Sequence, residues 1–209
     1  MTKLEEINYY FIIDERSDIT PFEQAEIALD QGVKMIQYRR KNASGRVLYE
    51  EASRISETCK DRALFIVNDR VDVALAVDAD GVHLGQDDLP YRVVRELVAD
   101  KILGVSTHSV DQAIQAQDMA DYIGVGPVHS TDTKQDKWDE LGIQGAIDIA
   151  DSVDVPTAAI GGIEYQDLKP LSKSFDMVCA ISSVTQYGDP SENIKKFESI
   201  FKKFKEDRP

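Results

Sequence analysis

Two carboxylates follow two successive apolar segments of this sequence. Asn68 and Asp69 come directly after the apolar run 64–67, and Asp88 lies shortly after the run 81–84. Carboxylate oxygens are the ligands that Mg²⁺ prefers, and its other positions are usually filled by water and phosphate oxygens. Asp69 and Asp88 therefore predict a Mg²⁺ site that serves a phosphorylated ligand.

The acidic pair Asp87-Asp88 also has a structural interpretation. An Asp just before a helix with an early proline is a common helix start, and Leu89-Pro90 follows this pair. We expect the two roles to divide, so that one carboxylate caps the helix and Asp88 binds the metal.

A basic segment, 37–41, closes the second apolar run. Gln37, Arg39 and Lys41 alternate along the chain, so in an extended segment they point the same way and Arg40 points the opposite way. An Arg offers a planar fork to a phosphate, and a Lys offers a mobile point charge. This pattern favours an anion site, although a solvated basic turn has the same composition.

Small hydroxyl residues and a histidine close the fifth apolar run. Ser106 and His108 are suited to bind phosphate or to transfer protons, whereas Ser109 fits the cap of the next helix. His83 is expected inside a strand and His129 in a loop. His108 is therefore the histidine with a candidate chemical role.

Three later segments have the composition of a neutral phosphate site. Two hydroxyls and an ammonium lie close together after the sixth apolar run, at Thr131, Thr133 and Lys134. The seventh run ends in Gly161-Gly162, whose backbone N–H groups can approach an anion, and the eighth ends in Ile181-Ser182. Together with the basic segment, these loops indicate two anion-binding zones, for two phosphorylated ligands or one bisphosphate.

The elements that must position these residues alternate regularly. Eight short apolar runs have the composition of strands buried on both faces, and they lie at 7–13, 33–38, 64–67, 81–84, 102–105, 122–125, 157–160 and 177–181. Helical spacing appears between most of these runs and after the last, at 21–31, 47–60, 89–98, 110–119, 143–152 and 191–205.

This alternation predicts an α/β fold with a parallel sheet, and eight strands are the number that closes a (β/α)8 TIM barrel. No linker interrupts the pattern, so residues 1–209 are expected to form a single TIM-barrel domain. A doubly wound open sheet is the alternative, but no GxGxxG pattern follows the first strand. In a barrel, the candidate residues would converge on the mouth formed by the carboxyl ends of the strands.

The composition restricts the classes of partner. Acidic residues outnumber basic ones by 38 to 24, and the formal net charge is −14, so we expect neither nucleic-acid nor anionic-membrane binding. No apolar run has the length needed to span a bilayer. The amino terminus lacks a signal-peptide pattern, and Cys59 and Cys179 are expected to be free thiols, so a cytoplasmic protein is the default expectation.

Six segments of the sequence resemble the thiamine-phosphate synthase family. They are QYRRK from Gln37, FIVNDRVDVAL from Phe65, ADGVHLGQDDLP from Ala79, LGVSTHS from Leu103, ADYIGVGPVHSTDTK from Ala120 and AIGGI from Ala159. The resemblance covers nearly the whole chain, and the ordered combination of ND, GVHLGQDD and TxTK is highly specific. One position departs from the family pattern, because Arg40 stands where the family usually has Glu.

The resemblance implies an enzyme that joins 4-amino-2-methyl-5-hydroxymethylpyrimidine diphosphate to 4-methyl-5-(2-phosphoethyl)thiazole and releases pyrophosphate. It implies Mg²⁺ at Asp69 and Asp88, and a dissociative reaction in which diphosphate departs before the thiazole nitrogen attacks. The implied ligands of the pyrimidine diphosphate are Gln37, Arg39, Lys41, Asn68, Ser106 and Lys134. Among these, Arg39, Lys41 and Lys134 would also stabilise the charge of the leaving group. The implied ligands of the thiazole phosphate are Thr131, Thr133, Gly162, Ile181 and Ser182.

The implied partners are two phosphorylated small molecules, and the sequence leaves a homo-oligomer open. Two rival functions remain. A thiazole tautomerase of the same superfamily keeps a His at the position of His108, but it needs neither diphosphate nor Mg²⁺. The intact set Asn68, Asp69, Asp88 and Lys134 therefore favours the synthase. A non-catalytic barrel that binds thiamine precursors is a rival of another class, and the joint presence of metal and diphosphate residues speaks against it.

Overall fold

Eight parallel strands form one sheet that curls back on itself. The computed structural model describes residues 4–13, 15–130 and 138–208. The strands pair in chain order, and they are β1 Tyr10–Ile12, β2 Met35–Tyr38, β3 Leu64–Asn68, β4 Gly81–Leu84, β5 Ile102–Thr107, β6 Tyr122–Val125, β7 Thr157–Ile160 and β8 Met177–Cys179. Tyr9, just before β1, pairs in parallel with Val178 of β8. The predicted (β/α)8 TIM barrel is therefore confirmed, and the open doubly wound sheet is wrong.

Helices connect the strands around the barrel. The longer ones are α1 Pro21–Asp30, α2 Gly45–Cys59, α4 Tyr91–Val98, α5 Val110–Ala116, α6 Gly142–Ala150 and α9 Pro190–Glu206. The short ones are α3 Val71–Ala76, α7 Leu168–Leu171 and α8 Ser182–Thr185. The apolar periodicity did not predict the short helices, because four to six residues are too few to display a period of 3.6 residues. In the parts of the chain that the structure describes, no helix is long and apolar enough to cross a membrane.

Side-chain caps begin several of these helices. Ser109 accepts a hydrogen bond from the backbone N–H of Gln112 at the start of α5, as predicted. Pro90 precedes α4, which has no side-chain cap. The prediction that Asp87 or Asp88 caps this helix is therefore wrong. Asp88 instead accepts a hydrogen bond from the N–H of Gly85, at 2.7 Å, and so closes the turn after β4.

Side chains of the strands alternate between two apolar cores. Tyr10 and Ile12 of β1 lie in the barrel interior, whereas Phe11 packs beneath the outer helices. From α9, Phe197 and Phe201 are fully buried in that outer core, and each contributes about 1.5–3 kcal/mol by its removal from water. Burial on both faces is the reason that these strands read as continuous apolar runs.

Three aspartates link neighbouring strands at the amino end of the barrel. Each stands just before an even-numbered strand and accepts a hydrogen bond from a backbone N–H of the strand before it: Asp80 from Phe65 (2.8 Å), Asp121 from Leu103 (2.8 Å) and Asp176 from Thr157 (3.0 Å). These carboxylates stabilise the face opposite the mouth, which in barrels of this kind serves stability.

Candidate active site

Two adjoining cavities open at the carboxyl ends of the strands. One is lined on its β2–β3 side by Gln37, Arg39 and Asn68. The other is lined on its β7–β8 side mainly by glycine, apolar and hydroxyl residues, including Gly162 and Ser182. The two cavities share the lining residues Ser106, Gly124, Ile160, Cys179 and Ile181. The two zones that the sequence indicates therefore adjoin at one mouth.

The basic segment after β2 divides between two faces, as its alternation predicts. Gln37 and Arg39 are buried and line the cavity, whereas Arg40 turns outward and pairs with Glu51 of α2. Within the described chain, Nε of Arg39 is a buried donor without a hydrogen-bond partner. Because an unpaired buried donor is costly, a ligand in the cavity would complete this site. The alternative of a solvated basic turn does not fit Arg39, which is only 7% exposed.

Asp69 and Asp88 meet at the ends of β3 and β4. The carboxyl groups lie within hydrogen-bonding reach of each other, and Lys41 Nζ lies 3.6 Å from Oδ2 of Asp69. Burial raises the pKa of Asp69 to about 6, and the charge and hydrogen bond of Asp88 act in the same direction. Asp69 also has a positive φ of 61°, which is uncommon outside glycine. Its backbone N–H donates to the carbonyl of His83, at 2.8 Å, and this bond holds the unusual turn in place.

The donor set at this position fits a magnesium ion. Two carboxylates supply hard oxygen ligands, and Mg²⁺ is usually bound through one or two carboxylates together with water and substrate phosphate. Among the described residues, no group of three or more His, Cys, Asp or Glu side chains is arranged to hold a metal. The pair Asp69 and Asp88 therefore suits an ion that is shared with a phosphorylated ligand better than one enclosed by protein.

His83 is a cavity residue that the sequence interpretation missed. It lies in β4, as expected, but its ring is directed into the cavity, where Nε2 is 2.8 Å from Ser106 Oγ and Nδ1 is 2.8 Å from the Tyr122 hydroxyl. The signal was present in the sequence, since Val82 and Leu84 on either side are outer-core residues and strands alternate with a period of two.

His108 lines the glycine-rich cavity, where the sequence places it. Its Nδ1 donates a hydrogen bond to the carbonyl oxygen of Gly126. Its ring stacks on Trp138, with centroids 4.3 Å apart and planes inclined by 15°. These contacts hold the ring beside the mouth, and its contact with substrate stays a prediction.

The β7–β8 side brings Gly162, Ile181 and Ser182 together. Gly162 has a φ of 60°, and a Cβ there would lie 2.8 Å from Cβ of His129, so only glycine fits this close approach. Arg16, from the loop after β1, extends an Nη2 donor to within 3.5 Å of Ser182 Oγ. The sequence interpretation took this zone to be neutral, and Arg16 is the cation that it missed, because the closure of the barrel brings β1 beside β8.

The predicted ligands Thr131, Thr133 and Lys134 lie outside the described residues, and their roles stay predictions. The two cysteines, Cys59 and Cys179, are buried and form no disulfide with each other, as expected.

Comparisons with known proteins agree with the fold and the resemblance. The model of the thiamine monophosphate synthase family matches residues 9–184. A thiamine-phosphate synthase of Archaeoglobus fulgidus is 42% identical over 208 residues, which cover 98% of this chain and 99% of that protein. Another, of Methanosarcina barkeri, is 38% identical over 204 residues, or 96% of this chain and 93% of that protein.

A solved structure extends the same likeness to three dimensions. It is a thiamine phosphate pyrophosphorylase from Pyrococcus furiosus that superposes with a TM-score of 0.88 at 35% identity, covering 97% of this chain and 99% of that one. Since both the family model and full-length relatives match, the chain is a member of the thiamine monophosphate synthase family.

Proposed function

We propose that this enzyme condenses 4-amino-2-methyl-5-hydroxymethylpyrimidine diphosphate with 4-methyl-5-(2-phosphoethyl)thiazole to form thiamine phosphate and pyrophosphate. One observation carries the proposal beyond the family likeness. Asp69 and Asp88 meet at neighbouring strand ends, and the ammonium of Lys41 lies 3.6 Å from Asp69. An acidic pair with an adjacent cation is suited to a metal-bound diphosphate.

The reaction that we propose is dissociative. The bond between the pyrimidine methylene and the diphosphate oxygen breaks first, and the thiazole nitrogen then attacks the resulting cation. Such a reaction requires stabilisation of negative charge on the leaving group. Arg39, Lys41 and Lys134 would supply positive charge to that group, and Gln37, Asn68 and Ser106 would orient it and the pyrimidine. Mg²⁺, when held by Asp69 and Asp88, would neutralise further charge on the diphosphate.

The thiazole phosphate is proposed to bind on the β7–β8 side of the mouth. Its ligands would be Thr131, Thr133, Gly162, Ile181 and Ser182. Gly162 lines this cavity, which supports the assignment, because backbone N–H groups in glycine-containing turns can bind an anion. Ser106, which lines both cavities, lies where the two substrates would meet.

The assay for this function mixes the purified protein with both phosphorylated substrates and Mg²⁺, and follows thiamine phosphate and pyrophosphate together. Equal amounts of the two products are expected, and omission of either substrate should abolish both. Absence of product from well-folded protein would overturn the proposal. In a parallel incubation with a thiazole carboxylate phosphate, isomerisation without pyrophosphate release would identify the tautomerase instead. Substrate binding without turnover would identify the non-catalytic barrel.

A further inference from the structure

A chain of hydrogen bonds crosses the barrel interior beneath the mouth. Gln37 Nε2 lies 2.6 Å from the Tyr10 hydroxyl, and that hydroxyl lies 2.7 Å from the hydroxyl of Tyr122. Tyr122 is 2.8 Å from His83 Nδ1, and His83 Nε2 is 2.8 Å from Ser106 Oγ. This interior chain joins side chains from five different strands, and all five line the same cavity.

The direction of the protons along the interior chain follows from its first bond. Gln37 donates through Nε2, so the Tyr10 hydroxyl accepts there and has its own proton for Tyr122. Tyr122 in turn donates to Nδ1 of His83, which leaves the ring proton on Nε2 to be donated to Ser106 Oγ. The amide oxygen of Gln37 and the hydroxyl proton of Ser106 are then available to a ligand.

The interior chain is built into the fold. A Cβ on Gly104 would lie 2.2 Å from the ring of Tyr122 and 2.5 Å from His83 Nδ1, so the absence of a side chain at this position makes room for both rings. Burial raises the pKa of the Tyr10 and Tyr122 phenols above their ordinary value, which keeps both neutral and able to donate. Hydrogen bonds in such a buried network strengthen one another.

We propose that Tyr10, Tyr122 and His83 are positioning residues that set the hydrogen-bonding polarity of the site, with an acceptor at Gln37 and a donor at Ser106. The polarity of the two ends is coupled, because a reversal of any one bond reverses the others. It suits a ligand that has a donor, such as an exocyclic amino group, beside Gln37 and an acceptor, such as a phosphate oxygen, beside Ser106. This choice of ligand groups rests on the proposed function.

The first test is a double-mutant cycle on turnover. Tyr122→Phe keeps the ring but removes the central hydroxyl, and it should lower kcat/KM about 3- to 10-fold, the effect of one neutral hydrogen bond. In a Ser106→Ala background the same change should have a clearly smaller effect, because its route to the ligand through Ser106 is lost and only the route through Tyr10 and Gln37 remains. Tyr10→Phe should behave in the same way.

Tyr9→Phe is the matched control. Its hydroxyl is also buried, and it donates to the carbonyl of Ala180 at 2.6 Å, but the residue belongs to the outer core. This variant likewise removes one buried hydroxyl, but its kcat/KM should fall less than that of Tyr122→Phe and should not depend on Ser106. Equal losses of kcat/KM in Tyr122→Phe and Tyr9→Phe would overturn the proposal. So would an effect of Tyr122→Phe on kcat/KM that is unchanged by Ser106→Ala.

The second test needs no turnover, so it separates this proposal from the proposed function. Nitrogen NMR of the folded wild-type protein, with His83 assigned by comparison with His83→Gln, reports which ring nitrogen has the proton. We expect a neutral ring protonated at Nε2, and a loss of this preference in Tyr122→Phe. A wild-type ring protonated at Nδ1 would overturn the proposal even if the enzyme makes thiamine phosphate. If the enzyme makes no thiamine phosphate, the tautomer of the His83 ring alone tests this proposal.

Discussion

Asp69 and Asp88 hold their carboxyl groups in hydrogen-bonding contact although both are acids. Burial is the main cause of the rise in the pKa of Asp69 to about 6, and Asp88 adds to it, while Lys41 and Arg39 oppose it. Two carboxylates within hydrogen-bonding reach repel each other once both are ionised. The arrangement therefore favours either a shared proton or a bound cation.

Addition of Mg²⁺ should stabilise the protein more at a pH well above 6 than well below it. Because the folded state binds the proton of Asp69 more tightly than the unfolded chain, the free energy of unfolding falls as the pH rises from the ordinary value of 3.8 to about 6. The loss is on the order of 3 kcal/mol above this range, where Mg²⁺ no longer competes with the proton. Thermal unfolding with and without Mg²⁺ at the two pH values measures the difference.

Asp88→Asn is the control for this measurement. It removes one like charge and one proposed metal ligand. The pH dependence should therefore weaken, although the burial of Asp69 preserves part of it, and most of the Mg²⁺ effect should disappear. An equal Mg²⁺ effect at both pH values in the wild-type protein would contradict the assignment of the ion to this pair.

Turnover should also depend on Asp88 and not on its neighbour. Asp88→Asn keeps an acceptor for the N–H of Gly85 but removes the charge, and we expect kcat to fall at least about a hundredfold with the fold intact. Asp87→Ala, a change at the exposed adjacent acid, should stay close to wild type. A near-normal rate of Asp88→Asn in saturating Mg²⁺ would show that the metal site is wrongly placed.

Arg39 and Arg40 are adjacent but should respond differently to substitution. Arg39→Ala should lower kcat/KM about a hundredfold or more, because this buried guanidinium faces the cavity. Arg40→Ala should leave kcat/KM nearly unchanged and lower the free energy of unfolding by at most about 1 kcal/mol, since its pair with Glu51 is partly exposed. Steady-state kinetics and urea unfolding of both variants distinguish the two roles. A larger kinetic loss in Arg40→Ala would reverse them.

Arg16 should contribute to the binding of the thiazole phosphate and not to that of the pyrimidine diphosphate. Arg16→Ala removes an exposed cation 3.5 Å from Ser182 Oγ, and we expect KM for the thiazole phosphate to rise roughly 3- to 10-fold. KM for the pyrimidine diphosphate is the internal control and should not change. Equal increases in both KM values would indicate a general electrostatic effect.

Asp80 should contribute to the stability of the fold but not to turnover. Asp80→Ala removes the acceptor for the N–H of Phe65 at the amino end of the barrel, and it should lower the free energy of unfolding by about 1–3 kcal/mol. Asp80→Asn keeps an acceptor oxygen and should recover much of that loss. Urea unfolding measures both, and kcat should remain at the wild-type level. A loss of kcat in folded Asp80→Ala would contradict the separation of the two barrel faces.

The sequence predicted the barrel because its strands are buried on both faces and its helices have one apolar face. It also predicted the opposite orientations of Arg39 and Arg40, since alternation in an extended segment is a local property. It did not predict α3, α7 or α8, which are too short to show a period, nor the role of Asp88 in closing its own turn.

The contacts that join distant strands were decided only by the tertiary structure. The alternation of side chains along β4 predicts that His83 points inward, but its hydrogen bonds to Tyr122 and Ser106 depend on the register and closure of the sheet. Closure likewise brings Arg16 to Ser182, and the burial of Asp69 against Asp88 raises its pKa. The sequence by itself therefore determined the type of each element and the residues at the strand ends. Distances, burial and proton positions arise between strands far apart in the chain, so they required the closed barrel.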